Sequence, residues 1–210
     1  MEIDLKEKLK ENILNTSENL FRKYGIRSVT MSDIAHELGI SKKTIYQYYK
    51  DKNEIVCLMI ERVHARDLRD IHQIQQQAEN AIDGVLKMNV HFQKIYGHTN
   101  PSMVYDIEKY HPEAWLIAQK YDKEGYLRSI LENLERGIAE GFYRKEINTA
   151  FIAIWRIEQF NLACNEKIFP RDQFDLWSNF VEMTELFLRG IVTLEGFQLL
   201  EKYKNQQNHE

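Results

Sequence analysis

Helix breakers are almost absent from this chain: its 210 residues include three prolines and nine glycines. Proline removes a backbone donor and glycine carries the largest entropy cost of ordering. A chain that avoids both, and uses Leu, Ile, Glu, Lys and Gln freely, favours helices. Apolar spacing agrees. Leu5, Leu9, Ile13, Leu20, Phe21 and Tyr24 recur at helical intervals over residues 3–24, and Gly25 follows as a terminating glycine. The expected fold class is all-α. The length allows one large domain or two small ones with a sizeable core.

Capping signals divide the run. Thr30-x-x-Asp33 reads as the start of a short helix ending near Leu38, Gly39 permits a tight turn, and Ser41 can cap a helix over about 42–49. Asp51-x-x-Glu54 opens a long fourth helix. Further helices are expected over about 78–96, 113–140, 150–165 and 172–188, with a last one ending near Tyr203. Asn100-Pro101 and His111-Pro112 each look like a cap followed by proline at the first helical position.

Several functional classes are disfavoured. The net charge of −4 excludes a generic polyanion binder. Residues 1–60 carry ten Lys/Arg against nine Asp/Glu, so contact with nucleic acid should be local and near the N-terminus. Cys57 and Cys164 stand alone without CxxC spacing, which suits a reduced cytoplasm and argues against a disulfide framework. The charged N-terminus does not read as a secretory signal, and no apolar stretch reads as a membrane span. There is no HExxH, GxSxG or Walker loop, and His64, His72, His91 and His98 lack the spacing of a helical metal pair. No enzyme, cofactor or metal site is expected.

The segment ELGISKKTIYQYYKDKNEI gives the positive signal. Helix, glycine turn, helix is helix-turn-helix spacing. Ile34, Leu38, Ile40 and Ile45 can form the seam, with small Ala35 where the helices approach. At about 100° per residue, Ile45 and Tyr49 share one side of the second helix. Lys43, Gln47 and Lys50 fall opposite, flanked by Thr44 and Tyr46. An apolar back with a front of donors suits a DNA groove. The alternative is a solvated lysine face. Tyr49 reads as core, whereas periodicity leaves Tyr46 and Tyr48 open between core and surface.

The run LFRKYGIRSVTMSDIAHELGISKKTIYQYYKDKNEI resembles the DNA-binding domain of TetR/AcrR-family transcriptional regulators. The likeness rests on Phe21, Gly25, Thr30, Ile34-Ala35, Gly39-Ile40-Ser41, Thr44-Ile45-Tyr46, Tyr49 and Lys50-Asp51-Lys52, about a quarter of the chain. It implies a three-helix DNA-binding domain over residues 1–52 and a helical ligand-binding and dimerisation domain over 53–210. It implies that Lys42, Lys43, Thr44, Gln47 and Tyr48 face the major groove, while Thr30, Ser32, Tyr46 and Lys52 contact phosphates or groove edges. The implied partners are double-stranded operator DNA, a second copy of the chain and a small-molecule effector. Release of DNA by the effector, hence repression, is the expected mode. The competing reading is a helical ligand-binding or interaction module without operator binding.

The larger part is read less sharply. Phe92, Tyr96, Met103, Tyr105, Tyr110, Trp115, Tyr126 and Trp155 are mostly aromatics with polar tips and can line an effector pocket, ordinary core being the alternative for each. The later helices are apolar on more than one face, which calls for two burial partners. Phe160, Trp177, Phe180 and Phe187 are the expected residues of a two-fold dimer interface.

Overall fold

A computed structural model describes residues 2–97, 99–100, 102–165, 167–170 and 172–207. Among them are eleven α-helices, one π-helical turn and no strand. The helices are α1 (Glu2–Tyr24), α2 (Met31–Glu37), α3 (Lys42–Ile45), α4 (Lys52–Gln77), α5 (Ala81–Tyr96), α6 (Ser102–Tyr110), α7 (Pro112–Tyr121), α8 (Leu127–Ala139), α9 (Thr149–Cys164), α10 (Leu176–Ile191) and α11 (Leu194–Gln207). They fall into two compact units, residues 1–66 with 98–120, and residues 67–97 with 121–210. The unit that carries the helix-turn-helix is thus larger than residues 1–52.

In the first unit, α1 buries Ile13, Leu14, Ser17 and Phe21, and Gly25 ends it with a φ of 81°. Leu5, grouped with this apolar stripe from spacing, is exposed. Glu18 is buried but held by three guanidinium groups: Arg62 at 2.6 Å, Arg22 at 3.1 Å and Arg66 at 3.4 Å. Burial alone would raise its pKa; the Arg62 hydrogen bond and the charges of Arg22, Arg66 and Arg62 outweigh it and hold the carboxyl below its ordinary range. Helices α6 and α7 join this unit through side-chain bonds. The Arg27 amide donates to Asp106 at 2.9 Å, and Asn53 Nδ2 donates to Glu113 at 2.6 Å. The Ser102 amide donates to Asn100, an N-capping bond at the start of α6, whereas Pro101 lies outside the described residues.

The second unit has its core at Ile82, Val85, Leu134, Tyr143, Ala153, Phe187, Leu188 and Ile191. Asn133 and Tyr143 share a buried bond at 3.2 Å, and Asn80 Nδ2 donates to the Tyr203 hydroxyl at 2.8 Å. The expected single helix over 113–140 is instead interrupted by the π-helical turn Asp122–Tyr126. Gly125 lies in that turn, where a Cβ would come within 2.3 Å of the end of the Leu68 side chain, so a larger residue there would require Leu68 to shift. After α8, Gly141 turns the chain with a φ of 79°. Tyr143 and Val192 then form an isolated antiparallel bridge. The expected helix over 172–188 begins instead at Leu176, where Asp175 caps it, and the last helix continues beyond Tyr203 to Gln207.

Candidate nucleic-acid interface and effector-domain residues

The helix-turn-helix is fixed by local chemistry. Thr30 caps α2: its hydroxyl oxygen accepts from the Ser32 and Asp33 amides at 3.2 and 3.3 Å, while the Thr30 amide donates to Asp33 at 2.7 Å. Gly39 makes the turn with a φ of 65°, and Ser41 Oγ accepts the Thr44 amide at 3.1 Å to cap α3. The expected helix over 42–49 is regular only to Ile45. Beyond it the Gln47 and Tyr48 amides reach back three residues to Thr44 and Ile45, tightening the final turn.

The two sides of this element differ as the wheel requires. Ile45 and Tyr49 are buried, and the Tyr49 hydroxyl donates to the Lys10 carbonyl at 2.8 Å. Burial raises the Tyr49 pKa to about 12, so this phenol stays protonated as a donor. Lys42, Lys43, Gln47 and Lys50 are exposed, Tyr46 is half exposed, and Thr44 and Tyr48 are half-buried. Among the described residues, no carboxylate lies within ion-pair distance of Lys42, Lys43 or Lys50.

Other expected contacts are differently placed. Ser32 is exposed in the first turn of α2, but the Thr30 hydroxyl is already committed to its cap, also donating to Asp33 Oδ2 at 2.7 Å. Lys52 points inward: its ammonium donates to the Ile26 and Val29 carbonyls at 2.5 and 2.6 Å and lies over the Phe21 ring. This lysine ties the start of α4 to the α1–α2 connection. Asn53 is likewise bonded to His111 and Glu113; the His111 ring meets Asn53, while its carbonyl accepts the Trp115 amide at 3.0 Å at the cap position before Pro112, the first residue of α7.

The expected effector residues are divided between the units. Met103, Tyr105, Tyr110 and Trp115 lie in the first, and Phe92, Tyr126 and Trp155 in the second. The side chain of Tyr96 is outside the described part. Met103 is buried. Tyr105 and Tyr110 are exposed, meet edge to face with centroids 6.4 Å apart, and share the Lys109 ammonium. Phe92, Trp115 and Tyr126 are half-buried; Trp155 is exposed on one side and meets Phe187 at 6.3 Å.

Of the expected dimer residues, Trp177, Phe180 and Phe187 are buried within their own unit; Phe187 is only 2% exposed. Phe160 remains open at 39%. The apolar residues most fully open on the same helices are others: Phe151 (63%), Ile154 (54%) and Leu186 (61%), with Leu162 and Val181 less so. Two apolar faces were legible in the sequence. Which face pointed inward was not, because α9 is apolar nearly all round.

A helical chain with a capped two-helix motif, one side packed and the other basic and open, is a helix-turn-helix protein. Residues 13–57 match the family model of bacterial regulatory proteins, tetR family, which places the helix-turn-helix segment in that family. It is 31% identical over 117 residues to the HTH-type transcriptional regulator YvaF of Bacillus subtilis, covering 54% of this chain and 60% of that protein. It is 28% identical over 97 residues to an HTH-type transcriptional regulator of Staphylococcus aureus strain USA300, covering 43% of this chain and 52% of the relative. The matches therefore span less than two thirds of these relatives. A TetR-family regulator from Agrobacterium tumefaciens shares the fold with a TM-score of 0.74 at 16% identity, covering 90% of this chain and all of that one. A regulator from Saccharomonospora viridis solved in complex with choline gives 0.72 at 16%, covering 89% and 99%. At such identity these two speak for the fold alone.

Proposed function

We propose that this chain is a transcriptional repressor that binds a near-palindromic operator as a homodimer and releases it when a small molecule binds the helical domain. The observation that carries the reading is the basic front at α3. Lys42, Lys43 and Lys50 are exposed with no carboxylate at ion-pair distance among the described residues, beside exposed Gln47 and Tyr46. An ammonium left free of carboxylates is available to phosphates and to guanine O6 and N7, and a glutamine amide matches adenine. Lys43, Gln47 and Tyr48 are the proposed readers of sequence; Lys42, Thr44, Tyr46 and Ser32 are the proposed positioning contacts. Lys52 and Thr30 act from behind, holding the motif's geometry.

One such helix covers half a site. Two-fold pairing supplies the second, and the open apolar side of α9 and α10 is the surface proposed to pair. Two recognition helices then enter successive major grooves about 34–36 Å apart. An effector that favours a different separation releases the DNA by population shift.

Selection from a random duplex library is the direct test. Enrichment of a two-fold symmetric sequence, with affinity that falls steeply as salt rises, is expected. Failure to enrich any sequence, with salt-insensitive background binding, would leave a helical module without an operator.

A further inference from the structure

Helix α9 sends one charge inward. Arg156 lies on the same side of the helix as buried Ala153, Gln159 and Ala163, opposite the open Ile154 and Leu162. Its guanidinium lies over the Phe180 ring at 4.9 Å and the Phe187 ring at 5.0 Å. One terminal nitrogen donates to Gln159 Oε1 at 3.1 Å and the other to Thr184 Oγ1 at 2.5 Å. Thr184 is itself buried, and its hydroxyl lies 3.3 Å from Asn89 Oδ1. Every polar partner of the guanidinium is neutral. Among the described residues no carboxylate lies within ion-pair distance of it.

Arg156 as a residue is half-buried, but its guanidinium is packed against two rings, and holding a charge there without a counter-charge is costly; an apolar side chain of similar size would fill the same space without that cost. Burial pulls the Arg156 pKa down to about 10, against an opposing effect of Tyr143, which leaves the group charged at neutral pH. A residue that opposes folding in this way is explained by function. A second copy docked on the open side of α9 would face the opposite side of the helix from this guanidinium. A single planar fork balances one carboxylate, whereas a phosphate dianion calls for a second cation, and none is bonded into this cluster among the described residues. The aromatic walls suit an apolar body beside the charge.

We propose that Arg156 is the anchoring residue of the effector site, and that the effector is a carboxylate carried on an apolar body. The carboxylate takes the guanidinium fork, and Phe180 and Phe187 flank its point of attachment. This rests on the effector-responsive reading above and names the chemistry to which the helical domain responds.

The test uses the full chain without DNA, so it stands apart from operator binding. Thermal unfolding and tryptophan fluorescence are followed with decanoate and benzoate, and with decanol and benzyl alcohol as uncharged controls. Trp155 and Trp177 contact Phe187 and Phe180 and report directly on the site. The acids are expected to raise the unfolding temperature and change the emission where the alcohols do not. In R156M the acids should bind about tenfold or more weakly, while the ligand-free variant should unfold at a temperature no lower than the parent. R156K, which keeps the charge and loses the fork, should fall between. The proposal is overturned if neither acid binds, if acid and alcohol protect alike, if R156M binds acids unchanged, or if ligand-free R156M is markedly less stable. That last outcome would make Arg156 a structural group. Operator binding by R156M, measured separately, should persist; its loss would bear on the regulator reading, not on the carboxylate.

Discussion

Lys43 and Glu18 show how one module treats charge in opposite ways. Lys43 is left bare, and its removal should be felt only by DNA. Lys43→Ala is expected to cost about 1–3 kcal/mol of specific binding and to relax base preference at one position per half-site, with thermal stability unchanged. A gel-shift series across operator variants checks this. Glu18 is enclosed by three arginines, so Glu18→Gln should remove the buried counter-charge they share, leaving Arg62 its bond to Glu11 at 2.7 Å, and destabilise the fold by about 2–3 kcal/mol, read from urea unfolding. Protons reach the same module. Burial pulls the His64 pKa from its ordinary 6.5 to about 4, so the unfolded chain takes up the proton first. The stability this neutral ring contributes is complete above pH 6.5 and is lost as the pH falls toward 4. Glu18, with its lowered pKa, adds a further loss as the pH falls through its ordinary value of 4.5. Urea midpoints at descending pH should show this decline, and His64→Gln should flatten the upper part of it.

At the scale of elements, the short helices were legible because their signals are local. Thr30, Asp33, Gly39 and Ser41 each act within a few residues, and each makes the bond or turn its spacing implied. Ser41→Ala should therefore cost about 1 kcal/mol by removing the α3 cap, and should weaken operator binding more than this stability loss alone accounts for, because α3 and the tight turn after it carry the proposed readers. Circular dichroism melts alongside binding isotherms separate the two effects. The π-helical turn was not legible. It lies where Leu68 comes close to Gly125, an approach between segments far apart in sequence that periodicity within one helix does not register. The same limit applies to Lys52, read as a phosphate contact until its carbonyl partners at Ile26 and Val29 are seen. Arg156 did leave a trace, as the only basic residue in the apolar run TAFIAIWRIEQFNLAC, but spacing alone does not say what surrounds it.

For the whole molecule, the proposed operator recognition rests on the proposed two-fold pairing. Leu186→Glu or Ile154→Glu places a charge on the open apolar side without entering the core. Either variant is expected to stay folded, to sediment as a single chain and to lose most operator affinity, since a lone recognition helix holds half a site. A variant that still paired would place the interface elsewhere. The sequence pointed to these helices as the pairing region but named Trp177, Phe180 and Phe187, which the core had already claimed; residue type alone does not separate an inner phenylalanine from an outer one. The bond from Asn80 to Tyr203 carries a last consequence. It joins residues 123 apart in the chain, whereas the Tyr49 hydroxyl reaches Lys10 across only 39. Near neighbours meet sooner than distant ones. During synthesis the groove-reading motif has every partner it needs for that bond while the C-terminal helices are still unmade, so the nascent chain can hold a shaped DNA-facing end before the part proposed to govern it exists.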